Sequence, residues 1–181
     1  TAGSWLLSDA LTATGGTLIV TAGTFNSGSQ AIDCSIFKIT GSTTRTVTLG
    51  TSTLTLHGGD PAWNATTTTG LTFSGASSTI VTDGASGSFY GGGLTYGTVQ
   101  LIGSGVPEVF GANTIVNLTR VGTAVKSDGF FVDTNQVVTG TLTLTGDSPT
   151  NRLLVKAYPL GTTRTITAAV VVLANIDIRD I

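Results

Sequence analysis

The side chains able to do acid–base, nucleophilic or metal chemistry are few. The chain has one histidine, His57, one cysteine, Cys34, and ten carboxylates: Asp9, Asp33, Asp60, Asp83, Glu108, Asp128, Asp133, Asp147, Asp177 and Asp180. A Ser-His-Asp triad is possible only around His57, and no G-x-S-x-G elbow presents a nucleophile to it. His57 and Asp60, in His57-Gly58-Gly59-Asp60-Pro61, would supply two metal ligands. With no second histidine and no cysteine cluster, their expected role is a turn beside Pro61. Cys34, within Ile32-Asp33-Cys34-Ser35-Ile36-Phe37, reads as a small core residue and has no partner for an internal disulfide.

Glycoside hydrolysis needs two carboxylates across a sugar ring, and spacing alone selects none of the ten. The most suggestive pair is Asp128 and Asp133, which flank Phe130 and Phe131, because aromatic faces stack on sugars. Against this, Ser127-Asp128-Gly129 is a turn signal and one of the two phenylalanines belongs in a core. Phe89, Tyr90 and Tyr96 raise the same question: a stacking platform for glycans, or Phe89 inside with the tyrosines at a turn. Tyr90, Tyr96, Phe130, Asp128 and Asp133 are therefore the candidate glycan contacts, and no catalytic, cofactor or metal site is expected. Calcium-loop and phosphate-loop patterns are missing, and Gly91-Gly92-Gly93 reads as a turn. The sequons at Asn64 and Asn117 are short patterns that arise often in a threonine-rich chain.

The elements that must position these residues are strands. Threonine outnumbers even the 25 glycines, methionine is absent, and glutamate occurs only at Glu108. Such a composition favours strand over helix. Aliphatic and polar residues alternate in Thr53-Leu54-Thr55-Leu56, Thr141-Leu142-Thr143-Leu144-Thr145, Thr165-Ile166-Thr167 and Asn175-Ile176-Asp177-Ile178-Arg179, the pattern of half-buried strands. Turn signals separate them at Asn26-Ser27-Gly28-Ser29, Gly58-Gly59-Asp60-Pro61, Asp83-Gly84 and Gly146-Asp147-Ser148-Pro149.

Two fragments recur. Thr43-Thr44-Arg45-Thr46-Val47-Thr48 returns as Thr162-Thr163-Arg164-Thr165-Ile166-Thr167, and Leu54-Thr55-Leu56-His57-Gly58 returns as Leu142-Thr143-Leu144-Thr145-Gly146. The pairs appear in opposite order, so no fixed period follows. Charged residues make up 10% of the chain, against ~25% in ordinary soluble domains. A solenoid accounts for this, because stacked coils place like residues above one another and like charges stack badly. The expected fold is a single all-β repeat domain over residues 1–181, a β-solenoid of the parallel β-helix kind, with a β-sandwich as the alternative.

A net charge of −2 with scattered Lys and Arg leaves no basic field for nucleic acid. The longest apolar run, Ala168 to Ala174, is strand-sized and too short for a membrane span. With no initiator Met and no signal-like block at Thr1 to Gly16, the chain is expected to be processed or part of a longer one.

Ser88-Phe89-Tyr90-Gly91-Gly92-Gly93-Leu94-Thr95-Tyr96 resembles β-solenoid regions of phage tail proteins and bacterial secreted adhesins. So do Gln136 to Leu142, Asn151 to Val155 and Asn175 to Asp180. The resemblance covers the C-terminal half and implies a non-enzymatic scaffold of a virion (tail fibre or capsid decoration) or a bacterial cell surface. It also implies other structural subunits as partners, a homo-oligomer, and a surface glycan as a conceivable ligand. A polysaccharide-degrading tailspike-like enzyme is the alternative. Ice binding by outward threonine rows comes third, on Thr53 with Thr55, Thr141 with Thr143 and Thr145, and Thr165 with Thr167.

Overall fold

A computed structural model describes residues 3–181; Thr1 and Ala2 lie outside the described residues. Alternating side chains and glycine-marked bends wind the chain into a parallel β-solenoid of about eight coils, with no helix among the described residues. The coils run β1 (Ser4–Leu6) with β2 (Leu11–Val20), then β3 (Gly23–Asn26) with β4 (Ile32–Ile39). The third coil has β5 (Arg45–Thr48), β6 (Thr53–Leu56) and β7 (Trp63–Asn64). Next come β8 (Leu71–Thr82) with β9 (Phe89–Tyr90), and β10 (Thr95–Leu101) with β11 (Glu108–Phe110). The last three coils are β12 (Thr114–Val121) with β13 (Gly129–Val132), β14 (Gln136–Thr145) with β15 (Leu153–Ala157), and β16 (Ile166–Ala174) with β17 (Ile176–Arg179).

Each strand pairs in parallel with strands of the neighbouring coils, which builds three stacks. Face 1 runs through β1, β3, β5 and the starts of β8, β10, β12, β14 and β16. Face 2 runs through the starts of β2 and β4, then β6 and the ends of β8, β10, β12, β14 and β16. Face 3 takes the ends of β2 and β4, then β7, β9, β11, β13, β15 and β17. Where a strand passes from one face to the next the register shifts, as between Tyr96 and Thr98. Gly97 sits in that bend, where a Cβ would fall 2.3 Å from the Ser78 carbonyl oxygen.

Inward positions form ladders. On face 2, Leu11, Ile32, Leu54, Ile80, Val99, Leu118, Leu142 and Val171 pair in succession. The two recurring fragments occupy matching register: Leu142 stands on the Leu54 ladder, and Ile166 stands on the Val47 ladder by way of Phe73, Leu94, Asn113 and Gln136. Their opposite order has a simple cause. The first pair is read from face 1 to face 2 within one coil, and the second from face 2 of one coil to face 1 of the next. The absent period is also explained, since Tyr96 pairs with Ile115, 19 residues on, whereas Val138 pairs with Ala168, 30 residues on. Coil length is set by loops, and the faces stay in step regardless.

The core is mostly aliphatic, with one aromatic column on face 3. Trp63 stacks between Phe37 and Phe89, centroids 4.9 and 6.0 Å away. Its Nε1–H donates to the Tyr96 hydroxyl at 3.2 Å, which in turn donates to the Gly91 carbonyl at 2.7 Å. Cys34 is fully buried on the ladder between Ala13 and Leu56, as its apolar setting predicts, and burial pushes its thiol up to about 11.

Two arginines are also inside. Arg45 donates to the carbonyls of Thr43, Thr67 and Thr69. Arg120, wholly buried, donates to those of Leu101, Gly103, Gly105, Val121 and Gly129. Each gathers carbonyls at a corner where the chain turns from one face to the next.

Candidate functional site

Three surfaces have the makings of a site: the outer side of face 3, the histidine at the edge of face 2, and the two ends. On face 3 the coil register brings together residues far apart in sequence. Glu108, Phe131, Lys156 and Arg179 form one outward column. Tyr90 and Phe110 form the next, with Asp133 and Tyr158 continuing it directly after Val132 and Ala157. The Tyr90 hydroxyl donates to Glu108 at 3.4 Å. Partial burial, then the nearby Asp133 and Asp60 carboxylates, hold the Glu108 carboxyl above its ordinary range. Desolvation likewise raises the Tyr90 phenol.

A carboxyl held up beside a second carboxylate is an arrangement that acid–base chemistry uses. The rings beside it are engaged with one another. Phe131 and Tyr158 stack 6.1 Å apart at 5°, Lys156 Nζ lies 4.1 Å from the Phe131 centroid, and Tyr90 tilts against Phe110 at 5.4 Å.

Of the five glycan contacts expected from sequence, Tyr90 and Asp133 reach this strip and three do not. Tyr96 is fully buried and hydrogen-bonded within the aromatic core, not at a turn. Phe130 is fully buried in line with Val155. Asp128 is 4% exposed and fixes the corner. It accepts from the Gly105 N–H at 2.6 Å and from the Thr123 N–H and hydroxyl at 2.5 and 2.8 Å, with Arg120 3.9 Å away. The turn reading of Ser127-Asp128-Gly129 is the one the structure supports. Sequence reasoning missed Glu108 as Asp133's neighbour, because the two belong to successive coils and no local spacing marks them.

His57 lies between two carboxylates of adjacent coils: Nε2 is 3.2 Å from Asp33 and Nδ1 2.7 Å from Asp83. These two, and not Asp60, are its partners. Their hydrogen bonds raise the imidazole above its ordinary value, and His57 with Thr14 lowers the Asp33 carboxyl. All three side chains are about one-third exposed or more, which is the setting of a surface ion pair between layers.

The outward threonines do align. Thr53, Thr79 and Thr98 stack in one column of face 2, followed by Asn117, whose Oδ1 accepts from the Thr141 N–H at 3.0 Å. The neighbouring column reads Thr55, Val81, Gln100, Thr119, Thr143 and Val172. Asn117, Val81 and Gln100 interrupt the array in the middle of the face.

The ends differ from the body. In the last coil Val170, Val171, Val172 and Leu173 are all about half exposed, although Val171 and Leu173 continue the inward ladders of Leu142 and Leu144. In the first coil Trp5, Leu6 and Ile19 are more than half exposed, and Trp5, Leu7, Leu11, Leu18, Val20 and Phe25 line an open cavity of about 320 Å³. No known protein family, curated protein or solved structure matches the chain.

Proposed function

We propose that this chain is a structural and attachment module, a rigid β-prism serving a virion surface or a bacterial cell surface as a non-enzymatic scaffold. The observation that carries the reading is the uninterrupted stack of about eight parallel coils, with continuous inward ladders and with Arg45 and Arg120 buried at its corners. Stacked parallel coils with buried arginines at their corners suit a part that transmits load and holds a fixed length. The resemblance to tail and adhesin solenoids in the C-terminal half agrees with this role.

Glu108 beside Asp133 favours one second reading, cleavage of a polysaccharide on face 3. A turnover assay on bacterial surface polysaccharides separates the two. The scaffold role predicts no release of reducing ends. Release that disappears in Glu108→Gln and Asp133→Asn would establish the enzyme instead.

A further inference from the structure

We infer that the outer side of face 1 binds ice. Alternation turns Phe25, Val47 and Phe73 toward the core and their neighbours outward, as two columns in unbroken register. One column is Ser4, Thr24, Thr46 and Thr72. The other runs Leu6, Asn26, Thr48 and Ser74; Thr95, beside Tyr96, takes the next place, and Thr114 follows it. From Thr24 to Ser74 every outward position of these columns is Thr, Ser or Asn, without the breaks that interrupt face 2. Thr72, Ser74 and Thr95 are exposed, and Thr24, Thr46, Thr48 and Thr114 partly so.

The hydroxyls of Thr24, Thr46, Thr48, Thr72, Ser74, Thr95 and Thr114 have no hydrogen-bond partner among the described residues, whereas those of Thr14, Thr43 and Thr123 are taken by neighbouring protein groups. Charge is kept off the same columns. Asp33, His57 and Asp83 belong to face 2, and Lys38, Glu108, Asp133 and Lys156 to face 3. Free hydroxyls without charges complement an uncharged, hydrogen-bonding solid, and the spacing points to which one. Coils repeat every ~4.8 Å, and residues i and i+2 of a strand lie ~6.7 Å apart. In ice, tetrahedral O–H···O bonds of ~2.8 Å place second-neighbour oxygens ~4.6 Å apart and repeat the layers at ~7.5 Å. From Asn26 to Thr114 the accumulated mismatch, shared between both ends, is ~0.4 Å, and across the columns it is the same, inside the ~0.5 Å spread of hydrogen-bond lengths. Branching at Cβ restricts each threonine to few rotamers. Little freedom is therefore lost when the hydroxyls take lattice positions.

The test grows single ice crystals in solutions of the whole chain just below the melting point, and follows recrystallisation in frozen films. The wild type is predicted to give faceted crystals, to open a gap between melting and freezing points, and to slow recrystallisation. Thr46→Lys and Thr72→Lys each set a charge within the array and are predicted to lose all three effects. Thr72 is exposed, so its replacement leaves the core intact, and circular dichroism confirms the β-sheet of each variant. Thr143→Lys, outward on face 2, is predicted to keep all three. Round crystals and no gap with the wild type would overturn the inference. So would full activity in both face 1 variants, or an equal loss in Thr143→Lys. The scaffold role fails or stands separately, because the chain's place on a particle or cell surface does not enter these measurements.

Discussion

Replacing Arg120 with methionine removes a guanidinium that is wholly buried and donates five hydrogen bonds to carbonyls of two successive coils. Burial draws its pKa down to about 10, which still leaves it charged at neutral pH. At ~1.5 kcal/mol for each bond to a charged donor, five bonds exceed ~7 kcal/mol. The cost of desolvating the cation offsets much of that sum. Removing one member of a buried ion pair costs about 3–5 kcal/mol in practice, because the partners stay buried and unpaired. Here those partners are the carbonyls and Asp128, 4% exposed. Arg120→Met is therefore expected to lose about 4 kcal/mol in urea denaturation read by circular dichroism, and Asp128→Asn less. In the double variant the two losses should not add, because both side chains hold the same corner. A loss under ~1 kcal/mol for Arg120→Met would refute the argument that buried arginines tie the coils together.

Trp63→Ala should cost about 3–5 kcal/mol, since a fully buried indole between two stacked rings leaves a cavity that rigid sheets cannot close; the same denaturation curves measure it. Gly92→Ala should destabilise far more than Gly15→Ala. Both glycines have positive φ, but a Cβ at Gly92 would fall 2.1 Å from the Ala65 carbonyl oxygen, whereas at Gly15 nothing lies within 4 Å. The second change should cost only the left-handed backbone, about 1–2 kcal/mol. The His57 pair predicts a pH dependence. Because the folded imidazole titrates above its ordinary 6.5, its stabilising contribution is complete below that value and is lost as pH rises through the higher folded one. Asp33, lowered in the fold, gives up its share only in acid. Melting temperatures from pH 5.5 to 8.5 should fall more steeply for the wild type than for His57→Gln, and parallel curves would contradict the pairing.

Alternation in Thr53 to Leu56 and Thr141 to Thr145 made the strands legible, and the two recurring fragments pointed to a solenoid before any coil was seen. Their register was hidden because loops between faces vary in length, and a pattern held in space by hydrogen bonds need not be periodic along the chain. The site residues were harder to read. Tyr96 and Phe130 have the composition of a ligand surface, and only the handedness of alternation around each bend decides that they point inward. Asp133 and Tyr90 did reach the surface, but their neighbours Glu108 and Phe110 arrive from another coil. Arg45 and Arg120 went unrecognised as interior because charge normally marks an exposed position. The one available hint was the repetition of Thr-Thr-Arg-Thr at Arg45 and Arg164, since a conspicuous arginine kept at one register position implies carbonyls to satisfy.

The scaffold role is tested most directly by cryo-electron tomography of the intact particle or cell surface that carries the chain, with the chain marked by a specific label. The account predicts the label fixed at regular positions on the particle or surface, on a rod that rises about 38 Å over the eight coils. Labelled chain found detached from any assembly would contradict it.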